Sequence, residues 1–487
     1  MTLLGLLVWG GVFVYGVMYA QPVISVDYRP RLVEMVKKKQ GMPEGAENGW
    51  LVLRGLVEKS DAMNAEFVEL SGRPDALEML TIDVLYDPSH QVHGFDREEV
   101  IAANLRYMDH LKRAGFFEEA NRLRAMPFAV RQSEEPRLME MMLPEVGKAR
   151  LLTRLNAARM HLAHQRGDDD ERFEAFDQCL ALSDLESRQG TMIEFLVGVA
   201  IRALAMSELR QEFIERPPTE AECMRAVEML DRRTLGGMDT AMEGERMTQH
   251  DVVQVLFSDT GNGNGRLLLH RLSWLKEGSL APPANPTGDW LEYKVCNLAG
   301  LFMPDRKENL ARINGFFDPM VRQAAMSRQE RLSDSFDPEA YFEETPRSYP
   351  VVHIMLPAVG KSLRAQDQIR LESVGTRLMI LIELHRARTG AYPEARSDLV
   401  ASVVPEVPLD PFTWKSFGYR RLAKGEGADG RAYLLYSYGG DEVDDGGKPA
   451  KVIWDALHSD KAAGTDFIIN RPRPKPIPQP AEPGDME

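Results

Sequence analysis

The chain has 487 residues, of which 44% are hydrophobic, and a net charge of −15. This length predicts two to four domains, and this hydrophobic content is sufficient for ordinary buried cores. Because nucleic-acid affinity comes mostly from Lys and Arg side chains that neutralise phosphates, the acidic balance excludes nucleic acid as an expected partner. The three cysteines are widely spaced, which predicts neither a disulfide framework nor a Cys-x-x-Cys metal site.

The N-terminal segment is apolar. Met1–Val26 contains no charged side chain, and the eighteen residues Leu3–Ala20 are continuously apolar. At about 1.5 Å per residue such a helix nearly spans a bilayer core of about 30 Å. A cleaved signal peptide is the alternative, but no basic residue precedes the stretch, and cleavage after Ala20 would place Met18 where a small residue is preferred. We predict that residues 1–22 form a single, uncleaved transmembrane helix.

Residues 97–235 have the pattern of helical hairpins. One apolar stripe is formed by Leu151, Leu155, Ala158 and Leu162, and the Gly167 turn ends that helix. Thr219-x-x-Glu222 predicts a capping box at the start of a later helix. The glycine turns at Gly115 and Gly167 resemble those of tetratricopeptide hairpins, but they lie 52 residues apart in the sequence, so any repeat is degenerate.

The predicted domain organisation follows these patterns and the breaker residues between them. Ala281–Pro286 is a breaker-rich linker, and the alternating prolines of Arg471–Pro480 predict an extended tail with no core to join. The predicted domains are the anchor (1–22), a mixed helical N-terminal segment (23–96), the helical-hairpin domain (97–235), a poorly defined helical and linker region (236–357), a C-terminal α+β domain (358–460) and a proline-rich disordered tail (461–487).

Three weak motifs point to chemistry, and each is better explained by ordinary structure. Gly360-Lys361-Ser362 lacks the upstream glycine of a phosphate-binding loop. A calcium-loop pattern starting at Thr260 lacks a carboxylate there and ends at Arg271 where a glutamate belongs, so a Gly/Asn-rich turn is favoured. His161 and His164 have no third ligand nearby, which favours a packed or solvated pair over zinc.

The C-terminal domain has the most specific order of motifs. The apolar helix Leu371–Leu384 is followed by Gly390-Ala391-Tyr392-Pro393, Leu409-Asp410-Pro411-Phe412 and Tyr436-Ser437-Tyr438-Gly439-Gly440-Asp441, with two strands predicted at 417–421 and 432–436. Over residues 365–456 this order resembles the soluble head of the type II secretion major pseudopilin, a type IV pilin-like domain. Together with Glu243-Gly244-Glu245-Arg246, the chain also resembles uncharacterised membrane-anchored proteins of planctomycete-type bacteria.

The resemblance implies a fold class and a location. It implies a C-terminal α+β pseudopilin-like domain, which the residue patterns place in a mainly α protein of helical hairpins, with a degenerate tetratricopeptide-like repeat as one alternative, behind the N-terminal transmembrane helix. The apolar segment has no Glu, so we do not expect processing or polymerisation as a pilin. The basic residues after the segment would place the body in the cytoplasm by the positive-inside rule, whereas pseudopilin heads face the periplasm. We expect a single-pass inner-membrane protein with a periplasmic body.

The resemblance also implies calcium at the closing loop. Ser437 and Asp441 match the first part of the family's Ser-x-Gly-x-Asp loop, but Pro449 and Val452 stand about where later aspartates belong. The expected ligands are therefore Ser437, Asp441, Asp444, Asp445 and Asp455. The alternative is a Gly/Asp hairpin turn without a metal.

No residue pattern predicts a reaction, so we expect an interaction or structural protein with unidentified protein partners of the cell envelope and a link to secretion. The alternative is an envelope hydrolase with an active site between the helical layer and residues 236–357. A deep cavity with converging His, Asp or Ser side chains would favour the hydrolase, and a shallow groove with apolar residues would favour binding.

Overall fold

The computed structural model describes residues 3–132, 135, 137–141, 143–233, 235–276, 290–356, 362–423, 426, 431–457 and 462–473. This part of the chain is mainly helical and contains one small antiparallel sheet. The predicted linker Ala281–Pro286, the Gly360-Lys361 pair and the proline tail from Pro474 onward lie outside the described residues.

The predicted N-terminal transmembrane helix is wrong. Helix α1 (Leu3–Met18) has 16 residues, and Pro22 just beyond it pairs with Ser258 in an isolated bridge. At 1.5 Å per residue, α1 is about 24 Å long, short of a bilayer core of about 30 Å. Across the described ranges, no helix combines the length and apolar character needed to cross a membrane. The prediction of a single-pass inner-membrane protein with a periplasmic body is therefore wrong as well.

The N-terminal third continues with helices that pack against the main helical layer. Asp27 caps the first of them by accepting a hydrogen bond from the Arg29 N–H. A 3₁₀ turn at Ile82–Leu85 lies against the later helical layer. The helices are α2 (Tyr28–Gln40), α3 (Gly49–Ser71), α4 (Arg97–Arg113), α5 (Phe116–Ala120) and α6 (Arg122–Ala125).

The centre of the molecule is a layer of long helices. The capping box predicted at Thr219 is confirmed: the Glu222 N–H donates to Thr219 Oγ1 at 3.3 Å, and the Thr219 N–H donates to Glu222 Oε2 at 2.6 Å. The predicted end of a helix at Gly167 is also confirmed, with φ at 72°. The layer consists of α7 (Pro144–Arg166), α8 (Asp169–Ser187), α9 (Met192–Glu215), α10 (Glu220–Arg232) and α11 (Met238–Leu256).

The following helices cover one side of this layer. The longest of them packs along α11, and its Phe316 and Phe317 side chains are fully buried. Asp305 caps it together with Glu308. The helices are α12 (Leu269–Lys276), α13 (Trp290–Ala299), α14 (Arg306–Ala325), α15 (Arg328–Leu332), α16 (Pro338–Glu344) and α17 (Pro350–Met355), with a 3₁₀ turn at Gly300–Phe302.

The C-terminal part is one long helix with a small sheet. Helix α18 (Ser362–Thr389) ends at Gly390, whose φ of 81° is left-handed and favours glycine. After α19 (Arg396–Ser402), strands β1 (Gly418–Arg421), β2 (Tyr433–Ser437) and β3 (Phe467–Ile468) form an antiparallel sheet in the order β1-β2-β3. The two predicted strands are confirmed to within one residue. Strand β3 lies in the range 461–487 that was predicted to be a tail.

One hydrophobic core joins these parts. It runs from Trp50 in α3 through the layer to Ile469 after β3, and α18 packs on α9 and α10 on one side and on the sheet on the other. Beyond β3 the chain returns to the layer, where the Arg473 N–H donates to Gln211 Oε1 at 2.8 Å. A separate, smaller cluster of Leu32, Val36, Val130 and Leu138 lies under α2.

Candidate functional site

The residues predicted to bind calcium are placed around the end of β2. Ser437 is fully buried, donates to Asp410 Oδ2 at 2.7 Å and accepts the Gly439 N–H at 3.1 Å. Asp441 accepts the Val443 N–H at 3.2 Å, and Asp455 lies in a 3₁₀ turn at Ile453–Leu457. Ser437 is therefore directed at Asp410.

The remaining two predicted ligands lie beside a third carboxylate. Asp444 Oδ1 accepts the Tyr436 hydroxyl and the Gly446 N–H, both at 2.9 Å. Asp466 Oδ2 accepts the N–H groups of Asp445 and Gly447 at 3.1 and 2.7 Å. Burial raises the pKa of Asp466 to about 6, and the negative charges of Asp445 and Asp444 add to the rise.

Asp466 is the residue of this loop that sequence reasoning missed. It follows the closing loop by about twenty residues and lies in the range predicted as a tail, so no local spacing connects it to Asp445. Asp445 Oδ2 and Asp466 Oδ1 are buried and have no hydrogen-bond partner among the described residues. In the part of the chain that the structure describes, no group of three or more His, Cys, Asp or Glu residues is arranged to hold a metal.

The loop that begins at Thr260 is a turn held by Asp259. Asp259 Oδ1 accepts the N–H groups of Gly261 and Gly263 at 2.8 and 3.2 Å, and its Oδ2 pairs with Arg306 at 3.0 Å. Both glycines have positive φ, which the turn requires. The carboxylate is thus engaged by the turn and by a cation from α14.

The histidines predicted as a packed or solvated pair have different neighbours. His161 Nε2 lies 2.9 Å from Gln165 Nε2, and His164 Nδ1 lies 3.3 Å from Arg172 Nη1. Burial lowers the pKa of both imidazoles, to about 4 for His164, where the positive charge of Arg172 also contributes. Each histidine is therefore neutral at pH 7 and packed within the helical layer.

A histidine and a serine meet where α18 contacts α19. His385 Nδ1 lies 2.7 Å from Ser402 Oγ, but the Ser402 hydroxyl donates to the Asp398 carbonyl at 2.7 Å. Ser402 must therefore accept the proton of His385, which is the reverse of the polarity that a nucleophilic serine needs. The contact joins two helices, and sequence spacing did not indicate it.

The histidines of residues 236–357 bond to amide or carbonyl oxygens. His250 Nε2 lies 2.9 Å from Asn314 Oδ1, His270 Nδ1 lies 2.7 Å from Asn297 Oδ1, and His353 Nε2 lies 3.0 Å from the Thr345 carbonyl. These three contacts hold neighbouring helices and turns together. A hydrolytic site in this region would need a hydroxyl and a carboxylate on opposite sides of one of these rings.

A groove of about 530 Å³ lies between α2 and the segment that contributes Val130, Arg131, Leu138 and Met141. We call it the α2 groove. Its apolar floor is the separate cluster of Leu32, Val36, Val130 and Leu138, with Val33 and Met141 on the walls. Gly190 allows the close approach of α2, because a Cβ there would lie 2.5 Å from Leu32 Cδ1.

Three side-chain amides hold the segment of chain that forms one wall of the α2 groove. Gln40 accepts the Ala129 N–H at 2.9 Å, and Asn48 both accepts the Val130 N–H and donates to the Val130 carbonyl at 2.8 Å. Gln189 accepts the Arg131 N–H at 3.1 Å. These bonds satisfy backbone groups that would otherwise need a neighbouring β-strand, so the wall is fixed without a sheet.

The inner end of the α2 groove contains a buried ion cluster. Arg131 is 8% exposed and forms ion pairs with Glu145 and Glu194, beside the ring of Trp50. Burial opposes the charge of Arg131, but the two glutamates raise its pKa. Burial raises the pKa of the neighbouring Glu186 to about 8, and Glu194 adds to this. The Arg131 charge is therefore compensated within the protein.

The rim of the α2 groove is charged. The described residues that line it include no His, Cys, Ser, Thr or Tyr, and its ionisable side chains are those of Asp, Glu, Arg and Lys residues. Asp27 pairs with Arg29 at 2.8 Å, whereas Glu34 and Lys37 are exposed on α2. The arrangement fits binding by apolar contact and charge.

Comparisons with known proteins identify no relative of this chain. No family model matches the chain, and no match is found among curated proteins or among solved structures. The pseudopilin-like assignment therefore stays a prediction, carried by the motifs of residues 365–456.

Proposed function

We propose that this is a non-catalytic interaction protein that binds an extended acidic peptide segment of a partner protein in the α2 groove. The observation that carries the proposal is the lining of that groove: an aliphatic floor, charges that are paired inside and exposed at the rim, and no hydroxyl, thiol or imidazole among the described lining residues. A cavity of this composition supplies affinity through apolar burial and selectivity through its rim charges.

The charge of α2 argues for an acidic partner. Its sequence, YRPRLVEMVKKKQ, has five basic residues and one acidic residue, in a chain whose net charge is −15. Lys39 pairs with Asp239 at 2.6 Å, but Lys37 and Lys38 are exposed and have no such partner among the described residues. A basic helix beside an apolar groove on an acidic protein attracts acidic segments and repels basic ones.

The apolar cluster under α2 is independent of the main core. Helix α2 packs on α11, and hydrogen bonds hold both ends of the segment: Gln254 Oε1 accepts the Val26 N–H at 2.9 Å and Gln40 bonds to Ala129. An element with few shared core contacts can shift to admit a ligand at less cost than a core helix. The groove can therefore adapt to a peptide side chain.

We also propose that α18 and the three-stranded sheet form a pseudopilin-like head that serves as a rigid support. The motif order of residues 365–456 and the packing of a long helix on a small antiparallel sheet support this part of the proposal. The hydrolase alternative places its active site between the helical layer and residues 236–357, where the three described histidines bond to amide or carbonyl oxygens.

A peptide-display selection on the whole protein tests the function. We expect enrichment of peptides that alternate acidic and aliphatic residues, with binding lost in the double variant K37E/K38E because the rim charge is reversed. The matched control is K307E/K451E, which changes the net charge equally at two exposed lysines far from the groove in sequence. Equal binding by both double variants would overturn the groove assignment.

A substrate screen tests the alternative. We expect no ester, amide or phosphoester turnover above that of buffer. Turnover that disappears in a folded S402A variant would contradict the non-catalytic proposal and would assign the chemistry to the α18–α19 contact.

A further inference from the structure

A second cavity lies on the other side of the helical layer, where α9 and α10 meet α18. Its volume is about 220 Å³, and it is separate from the α2 groove. We call it the α9–α18 cavity. Its wall contains three arginines, which is unusual for a mainly aliphatic space. The lining residues are Arg202, Leu230, Asp231, Leu235, Ile369, Arg370, Ser373, Val374 and Arg377.

Arg202 is buried without a carboxylate. It is 3% exposed, its Nε donates to Ser373 Oγ at 3.3 Å, and its Nη2 donates to the Arg233 carbonyl at 2.6 Å. Its Nη1 is buried and has no hydrogen-bond partner among the described residues. Burial lowers the pKa of Arg202, although the charge of Asp184 opposes this. A buried guanidinium whose partners are a hydroxyl and a carbonyl keeps a positive charge that the protein does not neutralise.

Arg370 lies on the facing helix α18 and is half-buried. Its Nη1 donates to the Met326 carbonyl at 3.0 Å, and no carboxylate of the described chain lies within ion-pair distance of it. Burial lowers its pKa, and the nearby charge of Asp367 only partly opposes this. Asp367 is itself paired with Arg331.

Arg377 provides the contrast within the same wall. Its Nε and Nη2 donate to the two carboxylate oxygens of Asp231 at 2.8 and 3.1 Å, which is a complete bidentate pair. The single acidic residue in the lining is therefore already engaged. Two cationic side chains, Arg202 from α9 and Arg370 from α18, form no ion pair within the described part of the chain.

We propose that the α9–α18 cavity binds a small organic anion with an oxyanion head, carboxylate or phosphate, and a short aliphatic chain. The oxyanion pairs with Arg202 and Arg370, and the chain lies against Leu230, Leu235 and Val374. Arginine is suited to both heads, because its planar fork donates two parallel hydrogen bonds to carboxylate or phosphate oxygens. An inorganic ion alone is disfavoured, because the aliphatic walls would offer most of its surface no hydrogen-bond partner.

The test is calorimetric titration of the whole protein with three probes of one chain length: hexanoate, hexyl phosphate and hexanol. We expect saturable binding of at least one of the two anions with a Kd of about 1 mM or below, which suits a ligand of this size. Hexanol should bind about tenfold more weakly or not at all, because it lacks the charge. The stronger of the two anions identifies the head group. Equal binding of hexanol, or no binding of either anion, would overturn the proposal.

Variants separate the site from general binding. R370Q removes one unpaired charge and should weaken the anion about tenfold, while V374F fills the cavity and should abolish binding without a change of charge. The control is R364Q, because Arg364 is exposed on the same helix and pairs with Glu339 at 2.6 Å. Melting temperatures verify that each variant is folded. Binding that R370Q and V374F leave unchanged would contradict the assignment, whatever R364Q does.

Discussion

Asp177 in the helical layer and Asp466 in the C-terminal head are buried carboxylates that are stabilised in opposite ways. In the layer, Asp177 is 1% exposed and lies against Arg124, Arg232 and Arg233, at 2.7, 3.0 and 3.4 Å. Although burial alone would raise its pKa, the three arginines lower it. In the head, Asp466 is equally buried and accepts only backbone N–H groups in the contacts described above, and its pKa rises.

This difference determines how each kind of buried carboxylate responds to a mutation or to a change of pH. A carboxylate held by arginines is sensitive to loss of a partner, because the remaining charges are then buried without compensation. A carboxylate whose pKa is raised is sensitive to pH, because it must be ionised at a cost as pH rises. Asp410 in the head behaves like Asp466: burial raises its pKa, although Ser437 opposes this. Glu186, Glu208 and Glu212 in the layer also have raised pKa values, so the contrast is between carboxylates with and without several arginine partners, not between the two regions.

The largest expected effect is at Asp177. D177N leaves three arginines without their shared anion, so we expect the free energy of unfolding to fall by about 3 kcal/mol. The control is D109N, because Asp109 and Arg113 form an exposed pair with side-chain exposures of 60% and 80%, for which we expect a change within about 0.5 kcal/mol. Urea unfolding at neutral pH measures both. Equal effects of D177N and D109N would mean that the arginines do not depend on Asp177.

The next effect is at Glu212, a carboxylate of the layer whose pKa is raised. Both of its carboxylate oxygens are buried without a hydrogen-bond partner among the described residues, and burial raises its pKa to about 8. Because the folded state then holds a proton that the unfolded state loses near pH 4.5, stability falls as pH rises from about 4.5 to 8. E212Q keeps the neutral shape and should raise the free energy of unfolding at pH 8 by about 2 kcal/mol.

Unfolding of wild type and E212Q at a series of pH values between these limits measures the effect. The two curves should meet near pH 4.5 and separate as pH rises. A constant offset between them would show that Glu212 does not change its protonation on unfolding.

A smaller effect is expected at Asp466. Its pKa of about 6 means that the head loses stability as pH rises from about 4 to 6. In D466N the amide oxygen can still accept the Gly447 N–H, and the amide nitrogen can donate toward Asp445 Oδ2, which has no partner among the described residues. We expect D466N to gain about 1.5 kcal/mol at pH 7 and to flatten this part of the pH profile. D441N is the control, since Asp441 accepts a single turn N–H; a gain in both variants would point to a general charge effect.

The smallest effect concerns calcium at the closing loop, which remains a prediction. If calcium binds with millimolar affinity, as isolated sites of this kind do, about fivefold excess over Kd should stabilise the protein by about 1 kcal/mol. D441A removes a predicted ligand and D466N removes a facing carboxylate, so both should abolish the gain. Thermal melts with and without calcium measure it, and an unchanged wild-type melt would favour the metal-free hairpin turn.

Local sequence patterns predicted much of the fold, but they could not predict contacts between residues that lie far apart in the sequence. Helical periodicity, the Thr219 capping box and strand alternation depend on residues within one element, and these were predicted well. The Asp177 cluster joins residues over fifty positions apart, so no periodicity reports it.

The same limit explains the errors at both ends of the chain and the missed site. An apolar count over Leu3–Ala20 does not show that the helix ends at Met18, where the chain turns toward its bridge with Ser258. Asp466 and β3 join the head from beyond its predicted end. One wall of the α2 groove depends on hydrogen bonds from Gln40, Asn48 and Gln189 to a single segment of chain. The only feature of the sequence that pointed to this region was the basic run after Val36.

The central claim is that partner segments bind in the α2 groove, and hydrogen exchange tests it most directly. Exchange is measured by mass spectrometry on the whole protein, alone and with an acidic–aliphatic peptide from the display selection, in wild type and in K37E/K38E. We predict slower exchange in residues 28–40 and 137–141 of wild type, and no slowing in the variant. Slowing that is confined to other helices, or that persists in K37E/K38E, would contradict the account.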